Sequence, residues 1–323
     1  MASGNQAIVS AVDEREALTS RTIPKMTLST SSNPLTAALA HASAQTSHED
    51  RARARFEVPG TAILTGGTGN VAMAAAHALF EHGTESIALL DLPAAFESSE
   101  AAISALRARF PTKSLHWISC DVTSQTSVEQ AVAQAAIVMG GVTTLCCFAG
   151  IVNSVHATET SAEAFRRVMD VNLTGSFLVA QAVAKQMIRQ NQEILASNLS
   201  APIPGYSILF TASISAHATN FPQPQVAYNA SKTALLSTTK SLAAEWAVHG
   251  IRVNSISPGY LDTILNAGDG LADFRPQWAA RCPMGRMGDV EEVTGAVIFL
   301  SSPRAGRYIT GTDIVVDGGA TVF

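Results

Sequence analysis

Thr61–Thr65 (TAILT), Gly66-Gly67-Thr68-Gly69-Asn70 and Val71–Glu81 (VAMAAAHALFE) follow one another without a break. The first run is short, apolar and rich in β-branched residues, which suits a buried strand. A glycine-rich turn comes next, and then an alanine-rich run that suits a helix. The same alternation continues outward along the chain. Expected strands are Ile87–Leu90, Leu115–Ser119, Thr144–Phe148, Ser207–Thr211, Arg252–Ile256 and Asp313–Val316. Expected helices are Ser99–Phe110, Val128–Met139, Ala162–Asn172 continuing through Gln190 with local irregularity, Gln225–His249 and Val290–Leu300. Short apolar strands alternating with helices predict an α/β fold, a single doubly wound parallel sheet with helices on both faces. No internal repeat is visible.

The chain has 323 residues, 47% hydrophobic and 15% charged, so most of it can bury a core. A net charge of −5 leaves no basic excess to neutralise phosphates, which argues against nucleic acid as a partner. Four cysteines without C-x-x-C spacing are too few for a disulfide scaffold and read as buried thiols of a reducing compartment. No His/Asp/Glu cluster has ligand spacing, so no metal is expected. Gln130–Val155 carries no charge and is long enough to raise a membrane span. Gln134, Gly140-Gly141, Thr143-Thr144 and Asn153 interrupt it, however, and divide it into a helix end, a turn and a strand. The N-terminus has no long apolar run, so a cytoplasmic location and no membrane partner are predicted.

Composition changes near residue 57. Residues 1–57 are rich in Ser, Thr and Ala and predict a mostly disordered tail, with transient helix around Pro34–Ala44 and Glu49–Arg55. Residues 58–323 form the expected domain. Within it, Gln190–Tyr206 (190–206) reads as a surface insertion. Pro258–Gly288 (258–288) reads as a lid or substrate pocket over the strand ends, or as a plain long loop.

The glycine turn has a chemical use. Backbone N–H groups there and the N-terminus of the following helix can approach a pyrophosphate. Asp91 ends the second strand, 25 residues after Gly66, near the ~20-residue spacing of a ribose-binding acid. A carboxylate there accepts from ribose hydroxyls and repels a 2′-phosphate, and no Arg or Lys stands nearby to hold one. NAD(H) is therefore expected over NADP(H). A solvated strand end is the competing reading of Asp91.

Tyr228 and Lys232, in YNASK, are four residues apart and share one face of a helix. A tyrosine normally titrates at about 10. A neighbouring ammonium stabilises the phenolate, giving a group able to take or return a proton. Alone, such a pair is more often a surface pair. Ser213 follows the strand SILFT, where its hydroxyl can polarise a carbonyl, although a serine there is commonly only a turn residue.

Together these pieces resemble the short-chain dehydrogenase/reductase family, over about residues 58–323. TGGTGNVA (65–72) stands where that family has T-G-x-x-x-G-x-G, and CFAG (147–150) where it has N-N-A-G. Asn172 in VNLTG matches its helix asparagine, and Ser213, Tyr228 and Lys232 match its Ser and Y-x-x-x-K set. Pro258-Gly259 with Thr263 matches P-G-x-x-x-T. The resemblance implies a single Rossmann-type domain that moves hydride between an alcohol carbon and nicotinamide. It implies Tyr228 as general acid/base, Ser213 bonded to the reacting oxygen, and Lys232 lowering the tyrosine pKa and holding the nicotinamide ribose. Asn172 would hold a water in the proton relay. It places Gly66, Thr68, Gly69, Asn70, Val71, Asp91, Asp121, Val122, Ala149, Gly150, Pro258, Gly259 and Thr263 around the cofactor. A homo-oligomer, dimer or tetramer, is implied as well.

Three positions depart from the family pattern. Asn70 replaces the second glycine and is expected to keep the turn by tolerating left-handed geometry. Ala72 adds a methyl, and Phe148 replaces an asparagine. The fifteen-residue Ser213-to-Tyr228 spacing, with AHATNFPQPQVAYNASK, SPGYLDTILN, PMGRMG and ITGTDIVVDGG, resembles the fungal polyol branch. That branch holds D-arabinitol 2-dehydrogenase, mannitol dehydrogenase and sorbose or xylulose reductases. Candidate pocket residues are Asn153, His156, His217, Asn220, Gln223, Gln225 and Tyr260. The apolar Phe274, Trp278 and Met284 suit instead a cyclic alcohol or ketone of fungal secondary metabolism. A non-catalytic dinucleotide-binding sensor is the reading from a different class.

Overall fold

Ile63 and Leu64 have no exposed surface, because the strand that carries them is paired on both sides and covered on both faces. The computed structural model describes residues 18–39, 46–197, 204–263 and 266–323. Its strands are β1 (Gly60–Thr65), β2 (Thr84–Asp91), β3 (Ser114–Ser119), β4 (Thr144–Cys147), β5 (Tyr206–Thr211), β6 (Ile251–Pro258) and β7 (Asp313–Val316). All pair in parallel, in the order β3-β2-β1-β4-β5-β6-β7. The chain lays strands outward from β1 and then returns to start β4 on its other side. A crevice therefore opens at the carboxyl ends of β1 and β4, the place where such sheets take ligands.

The helices are α1 (His48–Phe56), α2 (Asn70–Glu81), α3 (Pro93–Ser98), α4 (Glu100–Arg109), α5 (Gln125–Met139), α6 (Ala162–Met169), α7 (Ser176–Ala196), α8 (Val226–Trp246), α9 (Phe274–Ala280) and α10 (Glu291–Ser301). On one face α5, α7 and α8 bury Val132, Val183, Met187, Leu235 and Trp246 against Ile63, Leu145 and Phe210. On the other, α2, α4 and α10 bury Leu79, Phe80, Leu106 and Val297 against Leu64, Leu89 and Ile256. Each fully buried Leu, Ile or Phe contributes roughly 1.5–3 kcal/mol relative to an exposed one, so this double layer holds the strand ends in place. Ser124 and Ser161 cap α5 and α6, and Gly140 ends α5 in left-handed geometry at φ 73.

The irregularity expected within the long central helix is a π-helical turn, Asp170–Gly175, between α6 and α7. The surface insertion expected at 190–206 begins as helix, since α7 continues to Ala196. Gln190 and Asn191, which read as loop formers, brace it instead. Gln190 accepts from Val142 N and donates to Val142 O, at 2.8 and 3.0 Å, and Asn191 Nδ2 donates to His249 O at 2.8 Å. Residues 198–203 lie outside the described residues.

Of the expected tail, 1–17 and 40–45 also lie outside the described residues. The helix expected at Glu49–Arg55 is α1, whereas 34–39 is turn and extended chain. The described tail touches the domain at specific points. Asn33 Nδ2 donates to Val248 O at 2.8 Å, Arg307 donates to Ala37 O, and Ser302 Oγ donates to Arg55 O at 2.9 Å. Among the described residues no helix is long and apolar enough to cross a membrane.

Candidate active site

The carboxyl ends of β1 to β6 deliver nearly every residue singled out in the sequence to one side of the sheet. After β1 the chain turns at Gly66, which has φ +59 and whose added Cβ would stand 2.8 Å from Ala149 backbone atoms. Gly67 lies flat on β2, where a Cβ would meet that of Leu89 at 2.7 Å. These two contacts explain why glycine occupies both positions. Asn70 needs no left-handed geometry, contrary to expectation. It opens α2 in helical conformation, and Gly66 makes the turn in its place. Ala72 is fully buried without distortion. Helix α2 has no side-chain cap and no acid in its first turn, so its positive end is available to an anion.

Asp91 closes β2 facing this turn. Its Oδ2 accepts from Thr68 N at 3.1 Å and Thr68 Oγ1 at 2.7 Å, while Oδ1 accepts from Leu92 N at 2.8 Å. Asp121 and Val122 follow β3, with Asp121 Oδ1 held by Thr123 N and Oγ1. Ala149 and Gly150 follow β4. A Cβ on Gly150 would stand 3.3 Å from Asn172 Oδ1 and 3.6 Å from Lys232 Nζ, so this glycine admits both side chains. The donors, the helix end without a side-chain cap and the strand-end carboxylate together fit a nicotinamide dinucleotide.

Ser213 follows β5, and Tyr228 and Lys232 project from α8. Ser213 Oγ accepts from Ser215 N at 3.1 Å, and its hydroxyl is near enough to the Tyr228 phenol to favour the ionised form. Lys232 Nζ donates to Thr211 O at 2.6 Å and lies 5.5 Å from the Tyr228 ring centre. Burial pushes the phenol up and pulls the ammonium down to about 8. The sequence predicted the opposite direction for Tyr228; here burial, with the nearby Tyr260 phenol, outweighs the Ser213 hydroxyl.

Asn172 is fully buried on the π-helical turn. Its Oδ1 accepts from Ile151 N at 2.8 Å, and its Nδ2 donates to Ile151 O and Ser231 Oγ at 2.9 and 3.0 Å. The amide thereby clamps the chain after β4 to helix α8. The roles of Ile151, Ser231 and Ser215 were not read from the sequence. Only Ser231, adjacent to Lys232, carried a positional signal.

A cavity of about 650 Å³ opens over these groups. Ser213, Tyr228, Lys232, Val71, Gly150, Pro258, Gly259 and Thr263 line it, together with His156, Asn220, Gln223, Gln225, Tyr260, Phe274 and Trp278. Other candidates fall elsewhere. Asn153 is not on its wall; Met284 lines a separate cavity of about 400 Å³. His217 turns away to Ser257 Oγ and Asp313 Oδ2, at 3.1 and 2.9 Å.

A parallel sheet with a glycine turn, a strand-end acid and a Ser–Tyr–Lys set on one cavity defines a dinucleotide-dependent oxidoreductase. A protein-family model described as Enoyl-(Acyl carrier protein) reductase matches residues 67–321. The chain is similar to D-arabinitol 2-dehydrogenase (ribulose-forming) of Candida albicans, 32% identical over 80% of this chain and 91% of that protein. It is similar to the NADH-dependent L-xylulose reductase of Ambrosiozyma monospora, 33% identical over 80% and 94%. It also matches the NADP-dependent mannitol dehydrogenase of Hypocrea jecorina, 37% identical over 60% and 67%. A solved short-chain type dehydrogenase/reductase from Mycobacterium marinum superposes with TM-score 0.73 at 37% identity, covering 83% of this chain and 98% of that one. The chain belongs to the short-chain dehydrogenase/reductase family, and is an NAD(P)-dependent enzyme interconverting an alcohol and a ketone.

Proposed function

We propose that the enzyme acts on a polyol/ketose pair and prefers NAD(H). The substrate reading rests on the relatives named for arabinitol, xylulose and mannitol. The cofactor reading rests on Asp91, whose carboxylate stands beside Thr68 where a 2′-phosphate would be repelled. Relatives of both cofactor types occur, so this local geometry carries the preference. Thr68, Gly69, Asn70 and Val71 hold the pyrophosphate, Asp121 and Val122 flank the adenine, and Gly150, Pro258, Gly259 and Thr263 enclose the nicotinamide end.

When bound, the dinucleotide supplies or accepts the hydride at the substrate carbon. Proton handling falls to the chain. The substrate oxygen sits against Ser213 Oγ and Tyr228 Oη, which line the same cavity. In the reductive direction Tyr228 gives its proton to that oxygen, and in the oxidative direction it takes one back. Lys232, fixed by Thr211 O, supports the phenolate and holds the nicotinamide ribose. The Asn172 amide is spent on Ile151 and Ser231, and its backbone carbonyl accepts from Ser176 Oγ at 2.8 Å, so a relay water would share that carbonyl. We place this activity in the cytoplasm, in a homo-oligomer.

A second reading has one specific observation behind it. Phe148, Ile151, Ile214, Leu271, Phe274 and Trp278 give the cavity much apolar lining. Gln225 is spent on Ser215 and Asn229, at 3.4 and 3.3 Å. Such a wall suits a cyclic alcohol or ketone. Following NADH and NADPH absorbance over pentitols, hexitols, their ketoses and cyclic ketones separates the two: turnover of cyclic ketones alone would overturn the polyol reading.

A further inference from the structure

Trp278, Gln223 and Tyr260 form a chain of hydrogen bonds whose direction is set by its first member. An indole N–H can only donate, and Trp278 Nε1 donates to Gln223 Oε1 at 3.0 Å. The other end of that amide is therefore a donor, and Gln223 Nε2 donates to Tyr260 Oη at 2.8 Å. Asn220 Nδ2 donates to the same oxygen, also at 2.8 Å. The Tyr260 oxygen thus accepts twice, and among the described residues nothing accepts its proton. Asn220 Oδ1 is buried and lacks a partner too. Leaving a buried polar group unpaired costs about 1–3 kcal/mol.

The arrangement is rigid and faces the reaction. Tyr260 stacks on Trp278 with ring centres 4.4 Å apart and planes 4° apart. Asn220, Gln223, Tyr260 and Trp278 all line the cavity that holds Ser213 and Tyr228. Tyr260 is also close enough to Tyr228 to disfavour its phenolate.

We propose that Tyr260 and Asn220 form a hydroxyl-recognition subsite for a second hydroxyl of the substrate, one or two carbons from the reacting carbon. The Tyr260 O–H donates to that hydroxyl, and a small turn of the Asn220 side chain brings its buried Oδ1 to accept the hydroxyl's proton. An alcohol is donor and acceptor at once, so one group answers both unmet bonds. Reversing the Asn220 amide would satisfy the phenol proton but turn an unpaired NH2 toward the substrate, so a donor stands there in either orientation. The subsite deepens the alcohol–ketone reading of this same site and rests on it. It discriminates strongly because a substrate without the hydroxyl leaves the pair unmet.

The test uses the full-length enzyme with NADH and matched ketones that differ by one hydroxyl near the carbonyl, in an open-chain pair and a cyclic pair. The wild type should favour the hydroxylated member by at least about tenfold in kcat/KM. Tyr260→Phe keeps the ring stack and should lower that member about 10–100-fold, leaving the other within about twofold. Asn220→Ala should shrink the preference in the same direction. Equal loss on both members in Tyr260→Phe, or no loss, would overturn the subsite. Collapse of the preference in the cyclic pair, with no open-chain turnover, would uphold the subsite and remove the polyol reading. An open-chain preference that survives in Tyr260→Phe would do the reverse.

Discussion

Lys232 Nζ lies 5.5 Å from the centre of the Tyr228 ring and is tied to the Thr211 carbonyl at 2.6 Å. The cation is thereby aimed at the phenol from inside the protein, where its solvation is lost. Burial brings its pKa from 10.5 to about 8. Between those values the unfolded chain binds the proton that the folded chain has released, so stability rises with pH across that window. Below it, the buried ammonium destabilises the fold. Lys232→Met should therefore be more stable than wild type at pH 7, by about 1–3 kcal/mol. Its activity should fall at least about 100-fold. Thermal melts at pH 7 and above pH 10 check this, and the stability gap should narrow at the higher pH.

The Tyr228 phenol is pushed above its ordinary value of 10.0 by burial, against the nearby Ser213 hydroxyl that lowers it. A group held protonated is ready to act as an acid. Ketone reduction should persist through neutral pH, whereas alcohol oxidation, which needs the phenolate, should rise as the medium becomes alkaline. Difference-absorbance titration of the free wild type against Tyr228→Phe should show this residue still mostly protonated at pH 10.0. A signal appearing at neutral pH would mean that the lysine, and not burial, dominates.

The proposed NAD(H) preference rests on Asp91, one carboxylate oxygen of which accepts twice from Thr68. Asp91→Ser removes the charge that repels a 2′-phosphate and the acceptor for the ribose hydroxyls. Its kcat/KM should fall about tenfold with NADH and rise with NADPH, a shift of about 1.4 kcal/mol in each ratio. Steady-state kinetics with both cofactors measure it; an unchanged ratio would remove Asp91 from the site.

Asn172 joins two elements through three hydrogen bonds. Asn172→Ala leaves the Ile151 N–H and C=O without these partners and opens the clamp between the chain after β4 and α8. A loss of about 2–4 kcal/mol in stability is expected, with a lowered kcat from the loosened Tyr228. Ser231→Ala removes two bonds, the one from Asn172 Nδ2 and the one to Tyr228 O, and should cost about 1–2 kcal/mol. Denaturant unfolding of the two variants gives the comparison.

The alternation of apolar strands with helices was legible in the sequence because the central strands β1, β4 and β5 are buried along most of their length, whereas the edge strand β3 leaves Ser114, Trp117 and Ser119 exposed. Asp313–Val316 was read with the same ends that the structure has. The catalytic set was legible because Tyr228 and Lys232 lie on one helix. Gln190 and Asn191 misled because polar side chains suggest a loop, and their buried backbone partners, Val142 and His249, are remote in sequence. His217 read as a substrate contact for the same reason and is off the cavity wall, whereas Gln223 and Gln225 do line it. Which atom an amide or imidazole bonds depends on the folded chain, and these three are occupied by Tyr260, Ser215 and Asp313. The direction of the Tyr228 shift depends on depth of burial, which spacing does not report.

The most direct measurement is ketone-dependent NADH oxidation by purified Tyr228→Phe beside wild type, with cofactor binding followed by fluorescence. This change deletes one hydroxyl and keeps the ring. Loss of turnover by about 1,000-fold or more with cofactor affinity within about threefold is the expected result, since only proton transfer to the reacting oxygen is removed. Turnover equal to wild type would contradict the assignment of Tyr228 as the acid/base.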